Sequence, residues 1–211
     1  MQLHKIVNEL FMANTYIIIS GDTGIVIDPG SSYREIIDML ERNNVSEVHV
    51  ISTHGHIDHV VGAGHILNEF NESRFYIHRD DSPLLSHEST PLFISGVSYI
   101  KPEPDKYVSE GYLKIGGLEL EIIYTPGHTH GSISILVGGK LFTGDTLFRE
   151  SIGRTDLGGD LNKLIESIHR KLFKLPGEVM VYPGHGYETS IRHEKIYNPY
   201  VGVKGIYPYK P

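Results

Sequence analysis

The stretch Thr53-His54-Gly55-His56-Ile57-Asp58-His59 decides how the rest of this chain is read. It follows an apolar run, Val48 to Ile51, that predicts a buried strand. It precedes Val60-Val61-Gly62-Ala63, which opens a predicted helix. Four side chains able to ligate a metal therefore share one short strand-to-helix turn. In an extended segment alternate side chains lie on one face, so His54 and His56 can reach one centre together. The turn then carries Asp58 and His59 round beside the first pair without superimposing on it, a disposition suited to two neighbouring metals. Imidazole and carboxylate are what zinc, iron and manganese sites use where thiolate is absent. The chain has no cysteine, so neither a thiolate site nor a disulfide can form.

Further along the chain, one small pattern recurs three times. Leu118 to Tyr124 alternates as a strand and ends in Thr125-Pro126-Gly127-His128. Leu141-Phe142-Thr143 ends in Gly144-Asp145, and Val179-Met180-Val181-Tyr182 ends in Pro183-Gly184-His185. Each is a strand, then a glycine, then one ligand-type residue. Glycine lets the backbone turn sharply and approach an ion with no side chain in the way. His128, Asp145 and His185 would complete what the 53–59 turn begins. The simplest partition gives one metal His54, His56 and His128 and the other Asp58, His59 and His185. Asp145, with two carboxylate oxygens, bridges them. Two such ions about 3.5–4 Å apart would lower the pKa of a shared water towards roughly 7. Hydrolysis of an acyl or phosphoryl centre is the chemistry that follows.

The remaining segments frame this set. Thr15 to Ser20 and Ile25 to Ile27 read as strands joined by a turn at Gly21-Asp22. Asp28, before Pro29-Gly30, can ligate or can bond backbone at the strand end. Ser32 and Glu35 have the spacing of a capping box for a helix reaching about Asn43, with Tyr33, Ile36, Ile37 and Leu40 on one face. A second amphipathic helix carries Ala63, Ile66, Leu67 and Phe70. A third runs from about Asp160 with Leu161, Leu164, Ile165, Ile168 and Leu172, and Pro176-Gly177 ends it. Arg74 to His78 is a strand. Residues 79–106, broken by Pro83, Pro91, Pro102 and Pro104, are the least periodic: either a cleft-lining loop, with His87, Tyr99 and Lys101 as candidates to meet substrate, or a helical excursion packed on the outside. His65, His78 and His130 are read as structural or solvated.

Composition bounds the function. A chain of 211 residues, 39% hydrophobic and 21% charged, fits one domain over residues 1–211 with a sizeable core. A net charge of −7 argues against a nucleic-acid surface. No long apolar run and no signal-like start occur, so the expectation is a soluble cytoplasmic protein with no membrane partner.

The motif His54-Gly55-His56-Ile57-Asp58-His59, followed in order by His128, Asp145 and His185, resembles the metallo-β-lactamase superfamily over about residues 3 to 200. The resemblance implies an αββα sandwich, two mixed β-sheets face to face with helices outside and metals at one sheet edge. Within it, Thr125-Pro126-Gly127-His128-Thr129, Phe142 to Phe148 and Pro183-Gly184-His185-Gly186 look most like glyoxalase II. That likeness implies two divalent metals per chain, zinc or else iron or manganese, and a small-molecule thioester such as S-lactoylglutathione as substrate. It makes Asp58 catalytic as well as a ligand, and it places Arg154 and Tyr187 on the substrate. The chain departs from full-length glyoxalase II in residues 186–211, too few for its helical C-terminal domain, and so matches short glyoxalase-II-like hydrolases.

Two other readings stand beside this one. Persulfide dioxygenases share the fold and a stretch like Gly153-Arg154-Thr155-Asp156, and they hold one iron(II) through residues that here would be His54, His128 and Asp145. Two histidines and a carboxylate with open positions is the usual non-haem oxygenase set. The other is a metal-binding module without catalysis of its own, as in fusions with flavin domains. Arg154 and Asp156 can equally form a structural ion pair, and Tyr187 can simply pack.

Overall fold

The computed structural model describes residues 1–86 and 98–210. His87 lies outside the described residues. The first sheet holds β1 (Gln2–Val7), β2 (Asn14–Ser20), β3 (Thr23–Ile27), β4 (Glu47–Ile51), β5 (Glu72–His78) and β6 (Lys106–Val108), in that order. The first three strands are antiparallel neighbours, and β3 to β6 pair in parallel. The parallel connections run through α1 (Tyr33–Arg42) and through α2 (Ile57–Val60) with α3 (Ala63–Glu69), as parallel strands require a crossover.

The strands of the second sheet are β7 (Gly111–Ile115), β8 (Leu118–Tyr124), β9 (Ile133–Val137), β10 (Lys140–Gly144), β13 (Met180–Pro183) and β14 (Thr189–Ser190). Their order is β14-β13-β10-β9-β8-β7. A small hairpin, β11 (Leu147–Phe148) with β12 (Ser151–Ile152), stands apart, and α4 (Leu161–Arg170) and α5 (Ile191–Tyr197) complete the chain.

Period-2 alternation sorts the core into three layers of contact. On β2 and β3, Ile17, Ile19 and Val26 face outward and pack with Val48 and Val50 against Ile36 and Leu40 of α1 and Ile66 of α3. Their neighbours Tyr16, Ile18, Ile25 and Ile27 face the other sheet and meet Leu120, Ile122, Ile133, Ile135 and Phe142. On the far side, Leu141 and Val181 pack under Leu164 and Ile168 of α4. Helix, sheet, sheet, helix is the expected αββα sandwich, and both sheets are mixed.

Two local expectations are corrected. The helix over residues 33–42 forms, but Ser32 makes no side-chain cap, so there is no capping box. Its hydroxyl instead accepts from the Glu9 amide at 3.4 Å, and its own amide donates to Asn8 Oδ1 at 2.9 Å. Docking of the β1–β2 loop has taken the capping group. The helix after the metal-ligand turn is two short helices broken at Val61-Gly62, and Phe70 has left helical geometry. Gly62 lies where an added Cβ would meet the Gly30 carbonyl at 2.4 Å, so the break lets α2 pack close on the strand end at Pro29-Gly30. Part of the 79–106 segment is regular, with a 3-10 helix over Arg79–Leu85.

Candidate metal centre

Topology explains why distant residues meet. In the second sheet β10 is parallel to β13 and antiparallel to β9, and β9 is antiparallel to β8. Strands β8, β10 and β13 therefore run the same way, and the residues after them, His128, Asp145 and His185, emerge at one edge. The end of β4 reaches the same edge, where the Ile133 amide donates to the Thr53 carbonyl at 2.9 Å.

The seven ligand-type residues converge there. His54, His56 and His128 present ring nitrogens within 4.8 Å of one another, and so do the donor atoms of Asp58, His59 and His185. Asp145 lies between the two groups. Its Oδ1 is 3.5 Å from His59 Nε2, and its Oδ2 is 3.6 Å from both His128 Nε2 and His185 Nε2. A third grouping, Asp28 with His54 and His59, is of another kind. Asp28 accepts from the Thr53 amide and hydroxyl, each at 2.7 Å, and lies 3.0 Å from His59 Nδ1. Its oxygens are thus engaged behind the ring, as the strand-end reading of Asp28 expects. It orients His59 and leaves Nε2 pointing at the cluster. Asp28 does this at φ +54, an unusual conformation for a non-glycine residue.

The donor set fits divalent metal ions. Among the described residues, three buried side-chain polar atoms lack a hydrogen bond, and two of them are His54 Nε2 and Asp145 Oδ1. An orphaned buried acceptor costs about 1–3 kcal/mol unless something occupies it. The charge pattern agrees. Burial, reinforced by the neighbouring histidines, holds His54 well below its ordinary range and pushes His56 down to about 4. Both are neutral, the ligating form. Burial opposes charge on His59 and His185 too, but there the carboxylates of Asp58 and Asp145 outweigh it and raise both. Burial also works against ionised Asp58, yet His59 and His185 hold it far below the usual carboxylate range. One half holds two neutral imidazoles, His54 and His56, and the other carries anionic oxygen.

Two glycines show how close the strand ends come. At Gly184 an added Cβ would stand 2.2 Å from Asp145 Oδ1 and 2.8 Å from His59 Cε1. At Gly127, φ is +144 and a Cβ would meet the backbone of Leu164 in α4 at 2.3 Å. Asp160 caps that helix, accepting from the amides of Asn162 and Lys163.

The cluster floors a cleft of about 730 Å³. Arg154 lines it, with its guanidinium on Asp156 at 2.7 Å and its carbonyl 2.7 Å from His128 Nδ1. Tyr187 is 76% exposed and is not among the residues lining the cleft. Tyr99 donates to the Leu85 carbonyl and Lys101 pairs with Glu103, and neither lines the cleft. His65 bonds the Ser98 carbonyl and stacks on Tyr33, and His78 accepts from the Asp80 amide, in line with their structural reading. Sequence reasoning missed Asp81. It is buried and accepts from the amides of Gly55 and Gly131 and the Thr129 hydroxyl, so it fastens the His54–His56 turn to the His128 loop.

The metallo-beta-lactamase superfamily model matches residues 8–185. The chain belongs to that superfamily. It is 34% identical to a probable metallo-hydrolase of Streptococcus pyogenes over 95% of this chain and 90% of that protein. It is 35% identical to hydroxyacylglutathione hydrolase GloC of Haemophilus influenzae over 85% of this chain and 87% of that one. Among solved structures, BLEG-1 B3 metallo-beta-lactamase matches at TM-score 0.86 and 32% identity, covering 94% of this chain and 98% of its own. TTHA1623 in a di-iron-bound form matches at 0.82 and 31%, covering 94% and 100%. ETHE1 from Myxococcus xanthus matches at 0.76 and 30%, covering 94% and 84%. Superfamily membership makes the clustered histidines and aspartates the natural place for divalent metal. Among the described residues, no helix is long and apolar enough to cross a membrane.

Proposed function

We propose that this superfamily member is a metal-dependent hydrolase that cleaves thioesters of the S-acylglutathione type, as glyoxalase II does. The observation that carries the reading is the pair of ligand groups, His54/His56/His128 and Asp58/His59/His185, facing each other across Asp145. Divalent metal held there supplies water ionised near neutral pH and a Lewis acid for the thioester carbonyl. The chain's own residues do the rest. Asp145 turns Oδ1 to His59 and Oδ2 to both His128 and His185, so a single carboxylate ties the two groups together. Asp58, beside His59 and His185, gives the second group its anionic oxygen. Asp28 and the Arg154 carbonyl fix the rings of His59 and His128 by their Nδ1 atoms. In this reading the Arg154 guanidinium, exposed at the cleft, would meet a carboxylate of the thiol portion in exchange for Asp156. Similarity to GloC supports the substrate class.

A second reading is a mononuclear iron persulfide dioxygenase using His54, His128 and Asp145. The likeness to ETHE1 favours it. It leaves the Asp58/His59/His185 group idle, although those three are brought together as closely as the first three. The test offers metal-loaded protein S-lactoylglutathione and glutathione persulfide side by side, recording thiol release and oxygen uptake. Thiol release without oxygen uptake is expected, and the opposite pattern replaces the hydrolase with the dioxygenase.

A further inference from the structure

Above the ligand cluster the cleft is walled by Phe11, Ile57, Leu84, Phe148, Ile152 and Leu157. Among the described residues lining it, Arg154 is the only permanent cation, and Asp156 already neutralises it. Arg154 is therefore the one charged handle for the thiol portion, and the rest of the described wall away from the ligand cluster is apolar.

Phe11 carries the argument further. It is 45% exposed, yet its backbone is held at φ +59, and Met12 beside it at φ +56. Two consecutive non-glycine residues in the left-handed region are strained, and such strain persists only where the surroundings over-determine it. Here they do. On one side the Leu10 amide donates to Ser31 Oγ at 3.0 Å. On the other, Ala13 bridges to His185, and its carbonyl accepts from the Asn8 amide and Nδ2 at 2.9 and 2.7 Å. The loop is pinned at both ends, and its aromatic ring lines the cleft rather than the core. Leu157, 58% exposed, adds apolar surface to the same cleft from the segment after β12. Exposed apolar side chains gathered on a concave surface mark a binding region.

Resting on the hydrolase reading, we propose that the site selects thioesters by an uncharged, apolar acyl chain seated against Phe11, Ile57, Leu84, Phe148, Ile152 and Leu157, with Phe11 a specificity-determining residue. The acyl group extends over the apolar wall from the carbonyl at the ligand cluster, and the thiol portion leaves past Arg154.

The experiment uses metal-loaded protein and N-acetylcysteamine thioesters from acetyl to octanoyl, with S-lactoylglutathione alongside. Non-hydrolysable amide analogues of the acetyl and hexanoyl members are titrated by calorimetry. Transfer of a methylene from water to an apolar surface predicts a rise in kcat/KM of up to about fourfold per methylene until the wall is covered. By the same reasoning the hexanoyl amide, four methylenes longer, should bind on the order of a hundredfold more tightly than the acetyl amide if all four are covered. Phe11→Gly should flatten this chain-length dependence, while the melting temperature holds or rises because glycine relieves the left-handed strain. A flat or falling dependence on chain length, with S-lactoylglutathione the best substrate, overturns the inference and leaves the hydrolase standing. Chain-length-dependent amide binding without hydrolysis of any thioester keeps the apolar site and removes the hydrolase. A Phe11→Gly protein with an unchanged chain-length slope removes the role given to Phe11.

Discussion

Asp28 Oδ2 lies 3.0 Å from His59 Nδ1, and both side chains are buried. The same carboxylate accepts from the Thr53 amide and hydroxyl, so one side chain ties the end of β3 to the end of β4 and to the first turn of α2. Partners that orient a ligating imidazole in this way are worth about 10–100-fold in metal affinity. Asp28→Asn should weaken metal binding by that amount with the fold retained, as read by competition with a chromophoric chelator. Unaltered affinity would make Asp28 a purely architectural residue.

Asp81 supports a different joint. It is buried and accepts hydrogen bonds from Gly55, Thr129 and Gly131. Burial alone raises its pKa, although the three donors oppose that. Asp81→Asn sets an amide NH2 against N–H and O–H donors and should destabilise the protein by about 3 kcal/mol, roughly 6–12 °C in Tm for a chain this size. Thermal unfolding with and without bound metal measures it. A shift under about 2 °C would show that the joint does not depend on this carboxylate.

Gly184 has no room for a side chain. With a Cβ 2.2 Å from Asp145 Oδ1, Gly184→Ala must displace the carboxylate that faces both ligand groups. Metal content should fall, and hydrolysis should drop at least tenfold, about 1.4 kcal/mol of barrier. Elemental analysis and a thiol-release assay on the same preparation check it, and full metal content at full rate would contradict the placement of Asp145.

Proton release on metal binding follows from the two unlike halves. Burial keeps His54 and His56 neutral, so they have no proton to lose at pH 7. His59 and His185 are raised by Asp58 and Asp145 against the effect of burial, so in metal-free protein they tend to hold protons. Ligation needs neutral imidazole, so binding at pH 7 should release about one to two protons. A raised pKa means the protonated, non-ligating form gains as pH falls, so affinity should decline on acidification. Calorimetry in buffers of different ionisation enthalpy counts the protons. No release at pH 7 would mean that His59 and His185 are already neutral.

How much of this was legible in the sequence depends on the range of the contact. The 53–59 turn could be read because the apolar run Val48 to Ile51 marks β4 and a helix follows closely, so His54, His56, Asp58 and His59 fall together within seven residues. The amphipathic faces of α1 and α4 could be read from Ile36 and Leu40 and from Leu164 and Ile168. His128, Asp145 and His185 stood out because each follows a glycine at a strand end, and β8, β10 and β13 do run the same way. Asp81 could not be found, because its partners lie 26 to 50 residues away and nothing local marks it. Ser32 misled for the same reason: its spacing to Glu35 is local, but the loop that takes its hydroxyl is tertiary. Tyr187, placed by resemblance alone, stands exposed outside the cleft lining, whereas Phe11, in a loop with no motif, lines it.

The central claim is that two metals act together, and Asp58 tests it most directly. Its Oδ2 is 3.3 Å from His185 Nε2 and 3.4 Å from His59 Nε2, within the second ligand group. Asp58→Asn keeps the shape but replaces a carboxylate with a poorer neutral donor. Metal content and thioester hydrolysis are measured on one reconstituted preparation, because activity alone also responds to residues outside the metal's own ligands. Metal should fall from two per chain towards one while hydrolysis drops at least about tenfold, ~1.4 kcal/mol of barrier. A variant that holds one metal and keeps the full hydrolytic rate would contradict that claim.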